Sequence, residues 1–327
     1  MFRTIVAAVA DPRAPVQVAA AKAAEIALLT GGRVVLYHAA YDATLSGRPF
    51  FDTARLARVR AAHLRAQLES LEALAAGLPA GVADVGTVVE WQRPPHDGIV
   101  RAGMRERADL VVAEPRFQRA RKRVRGFSHT DWELVRLCPV PLLLARGAAR
   151  YRRPSVLAAV DPLHDAEKLS TLDARIVRIA REFATVAGGD LRLLHCAAPP
   201  RVTPPVPDAL VARERERSRQ LLERLLAEAS LPKRALLLRT GAPADAIEAV
   251  VEEEDVDVLV LGSMTHGRLG RLVLGSTAEK LLHTVACDLL VVKPAGFRSS
   301  VAPATREGRG LVRGARRMAG SAGSVHD

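Results

Sequence analysis

The chain has 327 residues, 49% hydrophobic and 26% charged, which at about 150 residues per domain gives two globular domains and is too apolar for a disordered chain. Three well-separated cysteines, Cys138, Cys196 and Cys287, form neither a disulfide framework nor a Cys-x2-Cys pair, and no stretch approaches the ~20 apolar residues of a membrane span. The formal charge is +12 but is concentrated. Arg116, Arg119, Arg121, Lys122, Arg123 and Arg125 fall within one short stretch, and residues 297–327 are Arg-rich, so the remainder is nearly neutral. A basic chain raises nucleic acid as a partner. Aromatic residues make up only 4%, which disfavours a single-strand stacking platform. The opening MFRTIVAAVADP has too short an apolar run for a signal sequence, so a cytoplasmic location is expected.

In chain order, the first half predicts strands near 4–9, 33–39, 85–91, 109–113 and 141–145, separated by stretches of helical periodicity. A polar connection, RGAARYRRP at 146–154, follows. The second half predicts a strand at 155–160, a helix around 172–183 that stops at Gly188-Gly189, and a strand at 191–196. Next come a charged amphipathic helix at 213–228, a strand at 233–239, a helix at 244–254 and a strand at 256–261. A helix at 278–284 and a final strand at 289–292 complete it.

These halves repeat one another. IVAAVADP at 5–12 returns as VLAAVDP at 156–162, GGRVVLYHAA at 31–40 as GGDLRLLHCAA at 188–198, and ADLVV at 108–112 as VDVLVL at 256–261. Near-continuous apolar strands joined by helices mean a parallel sheet covered on both faces. The expected fold is therefore α/β: two tandem doubly wound, Rossmann-like domains at 1–150 and 151–296. Residues 297–327, rich in Gly, Ser, Ala and Arg without periodicity, are expected to be a disordered basic tail.

The chemistry-bearing segment is LGSMTHGRLGRLVLGSTAEKLLHTVACDLLVVKP at 261–294. It leaves a buried strand, crosses a glycine-rich loop and enters a helix at Gly275-Ser276-Thr277. Glycines admit a phosphate close to the backbone, and a helix N-terminus offers unpaired N–H groups. The same pattern also suits a loop that needs glycines for its own geometry, followed by a helix capped by Ser276 or Thr277. A Walker A reading fails because Arg268-Leu269 replace the Lys-Ser/Thr pair. No G-x-S-x-G elbow makes Ser276 a nucleophile, and the nine histidines show no metal-ligand spacing. His38 and His195 occupy equivalent strand ends, which points to a shared structural role.

This segment resembles the universal stress protein family, whose nucleotide-binding members carry Gly-x2-Gly-x9-Gly-(Ser/Thr) here. Gly262 matches the first glycine, and Gly275 and Ser276 match the last pair; Thr265 replaces the second glycine. Asp161 matches the family's adenine-contacting aspartate, and Cys196 stands where the family offers backbone to the base. The first copy departs further: Glu114 takes the first glycine position, where a carboxylate would repel phosphate. PRFQRARKRVRGF, Thr130-Asp131-Trp132 and CPVP look like the tandem-domain branch, in which the first domain is not expected to hold ATP.

The resemblance implies a non-enzymatic stress-response protein. ATP or another adenine nucleotide would be held in the second domain by Asp161, Cys196, Gly262, Thr265, Gly275, Ser276 and Thr277, with no metal site. It also implies pairing of the two domains through 142–144 and 289–292, or a homodimer. A slow ATP hydrolase at the same loop is the enzymatic alternative. A polyanion-binding module through Arg119, Arg121, Lys122 and Arg123 and the tail is the third, and a solvated loop is the plainer account of those cations.

Overall fold

The computed structural model describes residues 2–46, 53–115, 117–119, 125–147, 150–162, 167–197, 207–263, 276–302, 311–314 and 317–318. The chain separates into two compact units, the first holding residues 1–116, 128–150 and 299–327, the second 117–127 and 151–298.

Unit 1 begins with β1 (Thr4–Ala8), α1 (Val18–Thr30), β2 (Arg33–Ala39), α2 (Thr53–Gly77), β3 (Asp84–Glu90), α3 (Pro95–Arg105) and β4 (Leu110–Ala113). The chain then makes a short antiparallel pair, β5 (Phe117–Arg119) and β6 (Arg125–Phe127), before α4 (His129–Leu137) and β7 (Leu142–Leu144) complete unit 1. Its parallel strands run in the order β7-β4-β1-β2-β3, with Ile5 beside Val34 on one side and Leu110 on the other. Residues 5–8, 110–113 and 142–144 are buried throughout. Strands covered on both faces have no solvent side to alternate with, hence the unbroken apolar runs in the sequence.

Unit 2 repeats the plan with β8 (Ser155–Ala159), α5 (Glu167–Ala187), β9 (Asp190–Ala197), α6 (Asp208–Glu228), β10 (Leu236–Thr240), α7 (Pro243–Glu253), β11 (Val258–Gly262), α8 (Ser276–Thr284) and β12 (Asp288–Val292). The strand order is β12-β11-β8-β9-β10, the counterpart of unit 1 position for position. The repeated Gly-Gly pair has the same job in both units. Gly31 and Gly188 take the left-handed conformation, with φ of 62° and 65°, that ends the first helix of each unit. Gly32 and Gly189 then pass so close to Phe2 and Pro154 that a Cβ would lie 2.7 and 2.1 Å from their carbonyl oxygens.

The expectation of a structureless tail fails within its described residues. Residues 311–313 form β13 (Leu311–Arg313) and 317–318 form β14 (Arg317–Met318), both antiparallel to β3. Such short strands leave no periodic signature, and the backbone of β3 supplies the pairing. The strands β5 and β6 were also absent from the sequence reading, for the same reason.

Candidate functional site

In open α/β sheets the ligand crevice lies beyond the carboxyl ends of the strands. At that end of unit 2, Asp161 follows β8, exposed, and its N–H donates to Asp173 Oδ1 at 3.2 Å. Cys196, half-buried in β9, is close enough to feel it. Burial pushes the Cys196 thiol up to about 11, with Arg239 opposing and the Asp161 carboxylate adding to the rise. This thiol stays protonated at neutral pH and is no nucleophile. The two residues expected at the base end of a nucleotide are thus brought together.

Gly262 ends β11 opposite Val292. A Cβ there would stand 2.8 Å from Leu172 Cδ2 and 3.0 Å from Ile176 Cδ1, so the absence of a side chain lets α5 lie against the strand. Helix packing by itself accounts for this glycine. Thr265 and Gly275 lie outside the described residues. Ser276 and Thr277 are the first two residues of α8.

Sequence reasoning passed over a cation at this end of the sheet. Lys293, 2% exposed, continues β12; its Nζ donates to Ser263 Oγ at 2.9 Å and lies 4.8 Å from the centre of the Phe297 ring. The only hint in the sequence is a lysine closing the apolar run DLLVVK. Ser263 is itself buried, immediately after Gly262, so the Lys293 amine stands at the root of the glycine-rich loop.

The histidine pair is structural in both units. His38 Nδ1 lies 2.9 Å from the Val9 carbonyl, and His195 Nδ1 lies 3.1 Å from the Val160 carbonyl. Because a carbonyl only accepts, each Nδ1 carries the hydrogen, which leaves His195 Nε2 to accept from Ser218 Oγ at 3.2 Å.

The corresponding end of unit 1 holds a cavity of about 580 Å3. Ala8–Ala10 and Tyr37–Ala40 form its floor, His63 and Gln67 line one side, and Glu114, Thr130 and Asp131 another. The anion position is already taken. Ser128 caps α4, and the buried Asp131 carboxylate accepts from Ser128 N at 2.9 Å and from Ser128 Oγ at 2.7 Å, while Asp131 N–H donates back to Ser128 Oγ. With Glu114 exposed at the end of β4, two carboxylates stand where phosphates would approach the helix N-terminus. Deeper in, Tyr37 donates to Glu90 Oε2 at 2.9 Å, and burial, followed by the Glu90 charge, pushes the phenol well above its ordinary value. At the mouth, the Arg93 guanidinium sits 5.2 Å from the centre of the Tyr41 ring.

Of the cationic positions, Arg119 pairs opposite Arg125 across the β5–β6 ladder; Arg121, Lys122 and Arg123 lie outside the described residues. Among the described residues no group of His, Cys, Asp and Glu could hold a metal ion, and no helix is long and apolar enough to cross a membrane.

Comparison with known proteins matches this architecture. Universal stress protein E of Salmonella typhi is 26% identical over 309 residues, spanning 90% of this chain and 95% of its own. A universal stress protein of Thermus aquaticus is 29% identical over 127 residues, 36% of this chain and 88% of its own. Among solved structures, a functionally unknown protein from Pseudomonas aeruginosa PAO1 superimposes with a TM-score of 0.66 at 22% identity, covering 90% of this chain and 93% of that one. A universal stress protein from Archaeoglobus fulgidus gives 0.56 at 15%, covering 90% and 99%. The sequence model of the universal stress protein family matches residues 1–146 and again 154–293, and the chain belongs to that family as a tandem of two domains.

Proposed function

We propose that this chain is a non-enzymatic stress-response regulator whose second unit takes an adenine nucleotide and whose occupancy biases contacts with a partner. The observation that supports it is the run from Gly262 at the end of β11, across Gly275, to Ser276 and Thr277 opening α8. The described ends of that run, the last residue of β11 and the first turn of α8, support a phosphate site at the carboxyl ends of the parallel strands. Asp161 and Cys196 would face the base. Gly275, Ser276, Thr277 and the loop around Thr265 would face the phosphates.

The test is calorimetry and native mass spectrometry of the purified full-length chain with ATP. One nucleotide per chain is expected, with binding weakened about tenfold or more in Asp161→Ala and in Ser276→Ala. No steady phosphate release is expected, and sustained release lost in Ser276→Ala would establish the slow-hydrolase alternative instead. Absence of binding at millimolar ATP overturns the nucleotide reading.

A further inference from the structure

β3 and β10 are the same strand of the repeat, each at an outer edge of its unit's parallel sheet, yet they present different edges. Aligned through His38 and His195, Val89 corresponds to Leu238 and Glu90 to Arg239. Val89 is 0% exposed and Leu238 56%. Two things differ: α2 packs on β3 whereas α6 gives β10 little cover, and residues 311–313 and 317–318 pair with β3. β13 sets Leu311 opposite Glu90, Val312 opposite Val89 and Arg313 opposite Val88. β14 sets Arg317 opposite Val85 and Met318 opposite Asp84.

The fit between them is selective in shape and in charge. Gly314 N–H donates to the Thr87 carbonyl at 3.2 Å, and a Cβ on Gly314 would lie 2.2 Å from both Glu72 Oε1 and Thr87 Oγ1. A side chain at this height would have to push aside the Glu72 carboxylate and the Thr87 hydroxyl between α2 and β3. One residue earlier, Arg313 donates to Glu106 Oε1 at 2.7 Å, and Arg33 approaches the other oxygen of the same buried carboxylate at 3.4 Å. Burial pushes the Glu106 carboxyl up, but Arg313, Arg105 and Arg33 together hold it below the ordinary carboxylate range. Of the arginines in this segment, Arg313 has a described side chain and meets Glu106, while Asp84, Glu90 and Glu72 lie on or beside β3. At β10 the residue in place of Glu90 is Arg239, paired with Glu253, and the same segment would meet like charge there.

We propose that the outer edge of β3 is a strand-acceptor site for an extended basic peptide of the pattern apolar–apolar–Arg–Gly, and that residues 311–318 of the chain occupy it as a detachable strand. Strands of three and two residues are too short to be held by the ladder alone, so the occupant exchanges while the sheet stays folded. While docked, it closes an edge that otherwise offers unpaired backbone groups to any incoming chain. A partner strand of the same basic pattern gains β3 by displacing the resident. This inference is independent of nucleotide binding in unit 2.

The experiment compares the full-length wild-type chain with Gly314→Val, using hydrogen exchange at β3 and a fluorescein-labelled peptide of residues 309–319. In Gly314→Val the β3 amides should exchange about tenfold faster or more, and the vacated edge should bind the peptide saturably. Wild type should bind it about tenfold more weakly, because the resident strand competes, and a peptide carrying Arg313→Glu should lose about tenfold on the variant chain. Unchanged β3 exchange, equal peptide binding by both chains, or binding by neither overturns the proposal. Arg313→Glu in the full-length chain adds no atom against Thr87 and replaces Gly314→Val if that variant does not fold.

Discussion

The two units share strand order, glycine pairs and the histidine clamp, yet they diverge at the carboxyl ends of their fourth strands. Unit 1 follows β4 with Glu114 and closes α4 with its own carboxylate, Asp131. Unit 2 ends β11 in Gly262 and opens α8 with Ser276. One copy has internalised the anion that a helix N-terminus attracts, and the other retains the residue types that would draw one from solution. A duplicated scaffold thus keeps its packing positions and is free to change its ligand positions, because only the former are held by the core.

The largest effect expected from probing this comparison is at the position before the clamp histidine. Tyr37 in unit 1 corresponds to Leu194 in unit 2, both fully buried. Leu194→Ala should cost about 2–5 kcal/mol by lost burial and a residual cavity. Tyr37→Phe should cost about 1–3 kcal/mol, because the buried Glu90 carboxylate loses its donor. Denaturant unfolding with hydrogen exchange resolving each unit measures both, and an equal, small loss at the two sites would erase the distinction between a packed and a hydrogen-bonded position.

A smaller contrast separates the two strand ends. Gly262→Val should destabilise unit 2 by about 1–3 kcal/mol through contact with Leu172 and Ile176. Glu114→Gln, at an exposed site, should change stability by less than about 0.5 kcal/mol. With Asp131 still capping α4, that variant should gain no ATP binding in unit 1. Thermal melts with and without ATP check this. A stable Gly262→Val chain would remove the packing account of that glycine.

The smallest effect is a pH dependence confined to unit 1. His96 in α3 stands where unit 2 has Ala244 in α7. Burial pushes the His96 imidazole below the ordinary histidine value, with Asp97 and Glu133 opposing and His129 and Arg136 reinforcing. The folded state therefore favours the neutral ring. Its contribution to stability is complete above the unfolded value of about 6.5 and is lost as pH falls through that value toward the depressed folded one, because the unfolded chain takes up the proton first. Unfolding midpoints of wild type and His96→Ala between pH 7.5 and 5 should show the shallower acid slope in the variant. Parallel slopes would place the acid sensitivity elsewhere.

Much of the fold was legible in the sequence for a simple reason. A doubly covered parallel sheet needs unbroken apolar strands, so runs such as LVVA at 110–113 and DLLVV at 288–292 announce themselves, and the repeat of IVAAVADP as VLAAVDP gives the duplication. The helix of α6 begins at Asp208, before the periodic stretch read from 213, because ALVA at 209–212 is a continuous apolar run without helical spacing. The site was only partly legible. Gly262 matches a phosphate glycine in the sequence and also packs against α5, while Lys293, marked in the sequence only by its place after DLLVV, is buried against Ser263.

What the sequence determined by itself is the α/β class and the duplication, because periodicity and turn residues are local and write themselves into the chain, while the motif at 261–294 carries the family resemblance. Tertiary structure alone decided the fate of residues 311–318. Their composition carries no strand signal, and the reason they pair lies in distant residues: the open backbone of β3, the carboxylate of Glu106, and a narrow gap beside Glu72 and Thr87 that Gly314 fills without displacing either side chain. The basic charge that suggested a polyanion partner is thereby partly accounted for within the molecule, since Arg313 is matched to an acid some two hundred residues away in the chain, a pairing that no local pattern records.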